Sequence, residues 1–264
     1  MSFYPTCTSS TRPSNPLTGD TRFETDTKSI IVYDGTDWRA YDNDGVSSSY
    51  PSNSYSAVLD GLNDNIDTGN MFNFIQQTCN FSITFWMKFA DYITDANQFF
   101  LGNSNFYIWY DNRSSTGSPK QLRVRVLPDS SFDSSNNAIL DNDWHHIAVT
   151  CSAGGSIKMY RDTIKIIDEP APVTNSNLSL GNLKLGSTYN NTLFFGGNLD
   201  EVAIFNRELN LAEINKIIND KYYFNFSAMY RFENNFNDET GANNAINNGV
   251  TFAAKADDPA NTPY

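Results

Sequence analysis

The chain has two histidines, and they are adjacent: His145 and His146. Imidazole is a common metal ligand and proton carrier, so the pair invites a metal or acid–base reading. The flanking sequence DWHHIAVTC reads as a strand, and neighbouring strand residues point to opposite faces. The two rings therefore cannot grip one ion, and no further ligands stand at zinc-site spacing. They are read as strand residues, one ring hydrogen-bonded inside and one near the surface. The aromatics Tyr107, Trp109 and Tyr110 precede Asp111-Asn112-Arg113. With Asn112 and with Tyr189 of the Tyr189-Asn190-Asn191 loop, they form a candidate sugar-stacking surface, because one face of a sugar ring is apolar. The three cysteines, Cys7, Cys79 and Cys151, lie too far apart for a zinc site or a disulfide framework. They are read as free thiols, with Cys79 and Cys151 buried at strand positions. No glycine-rich loop joins a strand to a helix for phosphate binding, and no Ser-His-Asp ordering stands out.

Composition narrows the function classes. The chain has 264 residues, 39% of them hydrophobic and 14% aromatic, which is enough to bury a sizeable core. Its formal net charge of −12 is opposite in sign to what phosphate neutralisation needs, so a nucleic-acid partner is not expected. MSFYPTCTSS lacks a basic and apolar leader pattern, and no run approaches the roughly 18–20 apolar residues that span a bilayer. No membrane insertion is expected, and the chain reads as soluble.

Three regions must position these residues. Residues 1–50 open with the polar stretch TSSTRPSNPLTGDT, expected to be extended. Short strands follow, beginning at Phe23, over Ile30–Tyr33 and over Trp38–Tyr41, with Asp34-Gly35 as a tight turn. Residues 51–221 read as many short strands between turn clusters. Phe81, Ile83, Phe85 and Met87 share one face, and Leu122, Val124 and Val126 alternate with Arg123 and Arg125. Strands over His145–Cys151, Asn182–Gly186 and Leu199–Phe205 accompany a hairpin around Arg161-Asp162. This pattern indicates an antiparallel all-β sandwich or barrel. One short helix is expected over Leu211–Asn219, with Asn210 as N-cap, Glu213 completing a capping box, and Leu211, Ile214, Ile217 and Ile218 on one face. Residues 222–264 begin with the alternating Phe224, Phe226, Ala228, Tyr230 and Phe232, then run into an extended tail.

Four blocks in this order resemble the laminin-G-like jelly rolls of the concanavalin A-like lectin/glucanase superfamily. They are SYSAVLDGLNDNIDTGN (Ser54 to Asn70), NFSITFWMKF (Asn80 to Phe89), DWHHIAVTCSAGGSIKMYRD (Asp143 to Asp162) and NLDEVAIFNRELNLAEINKII (Asn198 to Ile218). The resemblance implies a jelly-roll β-sandwich and says little about function. One departure stands out: Thr163 occupies the hairpin position where the family usually has Gly. The resemblance also places acidic residues at Asp60, Asp64 and Asp200, a set that would bind Ca2+ if the loops bring it together; no other cofactor is implied. The hydrolases of the superfamily carry a Glu-x-Asp-x-x-Glu strand that this chain lacks. Glu24-Thr25-Asp26 has no third acid, and Asp200 and Glu201 should face opposite ways. No catalytic residue is therefore assigned, and the chain is not expected to be an enzyme.

The flanks resemble segments of tailed-phage structural proteins. Arg12 to Trp38 looks like a short β module found near the ends of such proteins. MYRFENNFNDETGANNAINNGVTF (Met229 to Phe252) resembles a segment that follows laminin-G-like domains there, and also the first strand of other laminin-G-like domains. These likenesses imply a virion structural protein, a capsid decoration or a fibre at head, neck or tail, assembled in the host cytoplasm. Its partners would be other virion proteins, further copies of itself (a trimer is one arrangement) and host-surface glycans. A free lectin and a glycoside hydrolase relative are the rival readings.

Overall fold

The computed structural model describes residues 5–25, 29–33, 35, 38–42, 45–47, 53–116, 120–126, 130–172, 181–220 and 225–254. The chain divides into two compact units, Met1–Ser52 and Asn53–Tyr264. In the first, β1 (Thr6–Cys7), β2 (Thr21–Glu24), β3 (Ser29–Tyr33), β4 (Trp38–Asp42) and β5 (Gly45–Ser47) form one sheet in chain order. β1 pairs parallel to β2, and the other pairs are antiparallel. Among the described residues, Ile31 and Trp38 are its buried apolar ones, and Tyr33 packs on Trp38 with ring centroids 5.7 Å apart. The buried Glu24 receives both forks of Arg12, at 2.6 and 3.1 Å, so this acid has a structural task. Asp26 and Asp34 lie outside the described residues. Gly35, at φ +103°, has the left-handed backbone its turn needs.

The second unit is an open two-sheet sandwich. Its strands are β6 (Tyr55–Asp60), β7 (Asn65–Asp67), β8 (Phe81–Phe89), β9 (Asn97–Gly102), β10 (Phe106–Asp111), β11 (Gln121–Val126), β12 (Ser130–Asp133), β13 (His145–Cys151), β14 (Ser156–Arg161), β15 (Ile164–Pro170), β16 (Lys184–Leu185), β17 (Gly196–Phe205), β18 (Ala228–Tyr230), β19 (Ile246–Asn248) and β20 (Thr251–Ala254). One sheet has seven strands in the order β12-β11-β10-β9-β16-β7-β19. The other has eight in the order β15-β14-β13-β8-β17-β6-β20, with β18 also paired to β17. The alternation read from the sequence sets which side chains meet between the layers. Phe81, Phe85 and Phe89 from the eight-stranded sheet contact Phe106, Phe100 and Tyr110 from the seven-stranded one, at 5.3, 5.6 and 4.7 Å between centroids. Each buried aromatic removes a large apolar area from water, at about 25 cal/mol per Å2.

The C-terminal stretch runs on into the sandwich. β19 forms one edge of the seven-stranded sheet, and β20 one edge of the eight-stranded sheet. β20 ends at Ala254, and the expected tail beyond it lies outside the described residues. Phe224 is also outside them.

The capping box forms as expected. Asn210 Oδ1 accepts the Glu213 N–H at 3.0 Å, and Glu213 Oε2 accepts the Asn210 N–H at 2.8 Å. The helix, Leu211–Asp220, buries Ile214, Ile217 and Ile218. Leu211 departs from expectation: as the first helical residue it is 43% exposed, one turn before the face that packs. A single helical turn, Phe74–Gln77, precedes β8.

The cysteine reading needs correction. Cys79 and Cys151 form a disulfide across 72 residues. Cys151 ends β13 opposite Phe81, the first residue of β8, and Cys79 lies two residues before Phe81. Strand pairing therefore brings together two sulfurs that sequence spacing keeps apart.

Candidate functional site

The outer face of the seven-stranded sheet collects part of the aromatic set. On β10, Phe106, Ile108 and Tyr110 belong to the core, so Tyr107, Trp109 and Asp111 point outward. Register puts Tyr107 opposite Gly102 and Arg125, and Trp109 opposite Phe99 and Arg123. Trp109 stacks flat on Phe99, with centroids 5.4 Å apart and an interplanar angle of 3°. The Arg123 guanidinium covers its other side at 5.1 Å. Arg123 is itself fixed by Asp133 at 2.5 Å and Asp111 at 2.8 Å. Burial alone would raise the Asp111 pKa, but hydrogen bonds from Arg113 and Arg123 outweigh it and hold the carboxyl below its usual range. Trp109 is therefore only 8% exposed and stiffens the platform more than it offers a bare ring. The Tyr107 ring lies over Gly102, where any Cβ would strike it. Burial, with Tyr189 nearby, pushes its phenol pKa up to about 12, so it stays a neutral hydroxyl. Tyr189 is 46% exposed, and Arg125 is exposed as well.

At the Asn97 end of β9, three chain segments enclose a cavity of about 440 Å3. β6 ends in Asp60-Gly61, the segment after β8 brings Asp91 and Thr94 and continues to Asn97, and the loop before β17 brings Leu193 and Phe194. Gln98 ties these segments together. Its Oε1 accepts the Gly196 N–H at 3.1 Å, and its Nε2 donates to the Asp91 carbonyl at 3.0 Å. Gly61 has φ +76°, and a Cβ there would stand 3.1 Å from the Gly196 Cα, so this wall is bare backbone. Asp60 Oδ1 accepts the N–H groups of Leu62, Asn63 and Asp64 at 2.8, 3.1 and 3.4 Å. The Leu62 bond is the main reason the Asp60 carboxyl sits below its usual pKa. Asp91 accepts the Ile93 N–H at 2.9 Å and the Thr94 hydroxyl at 3.0 Å. Asn97 Oδ1 is enclosed with no hydrogen-bond partner. Leu193, in the lining, is 49% exposed, and Leu62 and Ile93, which adjoin the lining residues Gly61 and Thr94 in sequence, are 74 and 63% exposed.

The structure scatters the rest of the candidate set. Tyr110 is fully buried, donates its hydroxyl to the Ile139 carbonyl at 3.2 Å, and has its pKa raised by burial. A residue next to Trp109 on a strand faces the other way, so Tyr110 leaves the sugar surface. Asn112 is also buried, and its Nδ2 holds the Tyr92 and Thr94 carbonyls at 3.2 and 3.1 Å. Asp64 joins Asp60, accepting its N–H at 3.0 Å. Asp200 does not join them. Asp60 pairs with Gly196, four residues before Asp200 and so roughly 13 Å along the strand. The buried Asp200 accepts from Asn53 at 2.7 Å and from the Glu201 N–H at 2.8 Å. Among the described residues, no group of three or more His, Cys, Asp or Glu is placed to hold a metal ion.

A bulge between Asp200 and Ala203 also breaks the alternation that set Asp200 and Glu201 on opposite faces. Both are buried, and Glu201 pairs with the buried Arg231 at 3.2 Å. His146 is wholly buried, edge-on to Trp86 at 5.2 Å. His145, nearer the surface, is bracketed by Asp162 at 2.6 Å and Asp141 at 2.9 Å.

Sequence reasoning missed Asp91, Asn97 and Phe194 because no motif joins them; only Asp60 was marked. The signal that could have found them is the exposed apolar residue in each of three turn-rich segments, Leu62, Ile93 and Leu193, where loops are ordinarily polar.

Comparison with known proteins agrees with the fold. No curated protein matches the chain in sequence. In structure it is similar to a Bacteroides ovatus protein assigned a carbohydrate-binding role, with TM-score 0.60 and 16% identity over 90% of this chain and 70% of that one. It is also similar to a heptameric SAP-like pentraxin from Limulus polyphemus, with TM-score 0.50 and 11% identity over 79% of this chain and 92% of that one. Identities this low speak for the fold alone. The laminin-G-type profile described as concanavalin A-like lectin/glucanases superfamily matches residues 60–215, more than half of the chain. With the two-sheet sandwich in place, the chain belongs to the concanavalin A-like lectin/glucanase superfamily.

Proposed function

We propose that this chain is a non-enzymatic glycan-binding module that takes a sugar end in the cavity between Asp60, Asp91 and Phe194. The observation that carries this reading is the lining of that 440 Å3 space. Carboxylate and amide side chains line the space, and Phe194 with Leu193 offers apolar surface for the ring's C–H face. Strand β9 runs from Asn97 to Phe99 and Gly102, so a longer chain of sugars leaving the cavity would meet Tyr107, Tyr189 and Arg125. The similarity to the Bacteroides ovatus protein supports the same reading. Hydrolysis is not part of this reading, because the chain lacks the Glu-x-Asp-x-x-Glu strand of the superfamily's hydrolases. Titration of the full chain with a panel of mono- and oligosaccharides, followed by NMR shifts, tests the reading. Shifts should centre on Asp91, Asn97 and Phe194, and Phe194→Ala should weaken binding about tenfold. A panel that moves none of these resonances at millimolar sugar would sink it.

The setting we propose is the surface of a tailed-phage virion, with the N-terminal unit as the anchoring and self-associating part and host-surface glycans as the ligand. Two observations support it: the flanking resemblances and a five-stranded N-terminal sheet distinct from those of the sandwich. The alternative is a free lectin. Light scattering of the full chain and of Asn53–Tyr264 separates the two. The virion setting expects an oligomer, a trimer among the options, that is lost without residues 1–52, together with co-purification of the full chain with particles. A monomer absent from particles favours the free lectin.

A further inference from the structure

We infer that the cavity prefers a sugar carrying a free, protonated amine over the neutral or acidic sugar of the same shape. This rests on the glycan-binding reading above and names its ligand class. The charges lining the cavity have one sign. Asp60 and Asp91 contribute carboxylates, and no Lys, Arg or His is among the described lining residues. Neither carboxylate is neutralised within the cavity wall, because each is held by neutral donors: backbone N–H groups for Asp60, and the Ile93 N–H with the Thr94 hydroxyl for Asp91. Each carboxylate keeps lone pairs to spare. The two carboxylates offer these lone pairs to the space they line, and an ammonium supplies three donors together with the opposite charge.

Apolar lining strengthens this preference. Leu193 and Phe194 line the space with the carboxylates, and Leu193 is 49% exposed. A bound ring covering Leu193 would thin the water around the carboxylates, and charge–charge attraction grows as local polarity falls. Phe194 supplies the flat surface that a sugar ring uses and a flexible alkylamine does not. On this ground a sugar amine is favoured over the lysine side chain of a partner protein.

The test is a heat and NMR titration of the full chain, at a pH where the amine is protonated, with glucosamine, N-acetylglucosamine, glucose, glucuronic acid and butylamine. Glucosamine should bind about fivefold tighter than glucose, as expected when one hydrogen bond becomes charge-assisted. Glucuronic acid should bind weakest. Asp91→Asn, which keeps the shape, should remove most of glucosamine's advantage over glucose, and added salt should narrow the gap. Equal binding of glucosamine and glucose overturns the amine preference and leaves the glycan reading standing. A preference that survives in an Asp60→Asn, Asp91→Asn double variant overturns it as well. Butylamine binding as tightly as glucosamine shows a general ammonium site, of the kind a lysine would fill, and overturns the sugar assignment. If no sugar binds at all, both readings fall.

Discussion

The two outer faces of the sandwich obey the same alternation yet end in opposite surroundings. On the eight-stranded sheet, the outward Ser82, Thr84, Trp86 and His146 are all fully buried. The segment leading into the long helix is bonded to this face: Ser82 Oγ donates to the Arg207 carbonyl at 2.9 Å and accepts the Leu209 N–H at 2.8 Å. On the seven-stranded sheet, outward Trp109 and Asp111 are buried, but Tyr107, Arg123 and Arg125 are partly or fully exposed. The outward residues forecast this difference. Small hydroxyls and a tryptophan make a surface a helix can sit on, whereas two arginines on alternate positions of one strand resist being covered without paired charges. The covered face builds stability, and the other keeps its charged side chains in solvent.

That contrast predicts unequal costs. Trp86→Ala should destabilise the chain by about 4 kcal/mol, because it empties a fully buried indole site. Tyr107→Ala, on the other face, should cost about 1 kcal/mol, since its ring is already part-exposed and lies over a glycine. Urea denaturation of both variants reads the difference; similar midpoints would erase the distinction between the faces. Next in size, replacing both Cys79 and Cys151 by Ser should cost about 3 kcal/mol, since the bond closes a long loop in the unfolded chain. Thermal melting with and without reductant checks this. A reductant that leaves wild-type melting unmoved would mean the bond contributes nothing.

What could be read in advance follows from the range of each signal. Alternation on β8 and β11 and the Asn210–Glu213 capping box are local, so short stretches of sequence carried them. The disulfide was illegible because its partners meet only through the pairing of β13 with β8. Tyr110 was misassigned with Trp109 by proximity in sequence, when the period of two already excludes it. Asp200 was grouped with Asp60; their strands are neighbours, but antiparallel register sets the two acids far apart along them. The cavity was the least legible part, since it is assembled from segments around residues 60, 91 and 194 that share no pattern.

At the rim of the covered sheet, His145 lies between Asp141 and Asp162. Burial alone would lower its pKa, but the hydrogen bonds and charges of Asp162 and Asp141 together raise it. A raised folded-state pKa means the pairing contributes fully below the unfolded value near 6.5 and is lost as pH rises through the folded value. Asp141 is shifted oppositely: burial raises its pKa, but the Asp143 N–H and His145 outweigh it and hold it low. Its share is present above the unfolded value near 3.8 and is lost as pH falls through the lowered one. Stability should therefore peak between these two unfolded-state values and decline toward alkaline pH, and His145→Asn should flatten the alkaline limb. Urea midpoints from pH 5 to 9 measure it. An alkaline slope unchanged in His145→Asn would assign the pH dependence to other groups.

The smallest effect sits one strand further out, in the hairpin joining β14 to β15. Arg161 pairs with Ile164, leaving Asp162 and Thr163 as a two-residue loop at φ +49° and +70°. Two positive φ values in succession match the twist of the flanking strands. Asp tolerates this region and a β-branched Thr does not, at a cost of roughly 1–2 kcal/mol. Asp162 keeps the loop in place: its N–H donates to the His146 carbonyl at 2.9 Å, and its Oδ1 accepts the His146 N–H at 2.8 Å. The turn is thus held by its first residue and strained at its second. Thr163→Gly should relieve the strain and, after the glycine's extra unfolded-state freedom is subtracted, stabilise the chain by about 1 kcal/mol. The urea midpoint should rise with unchanged slope. A fall would mean that Thr163 contributes more through its side chain than its backbone costs. Because the hairpin lies at the edge of the covered sheet, the gain should leave sugar titrations unaltered.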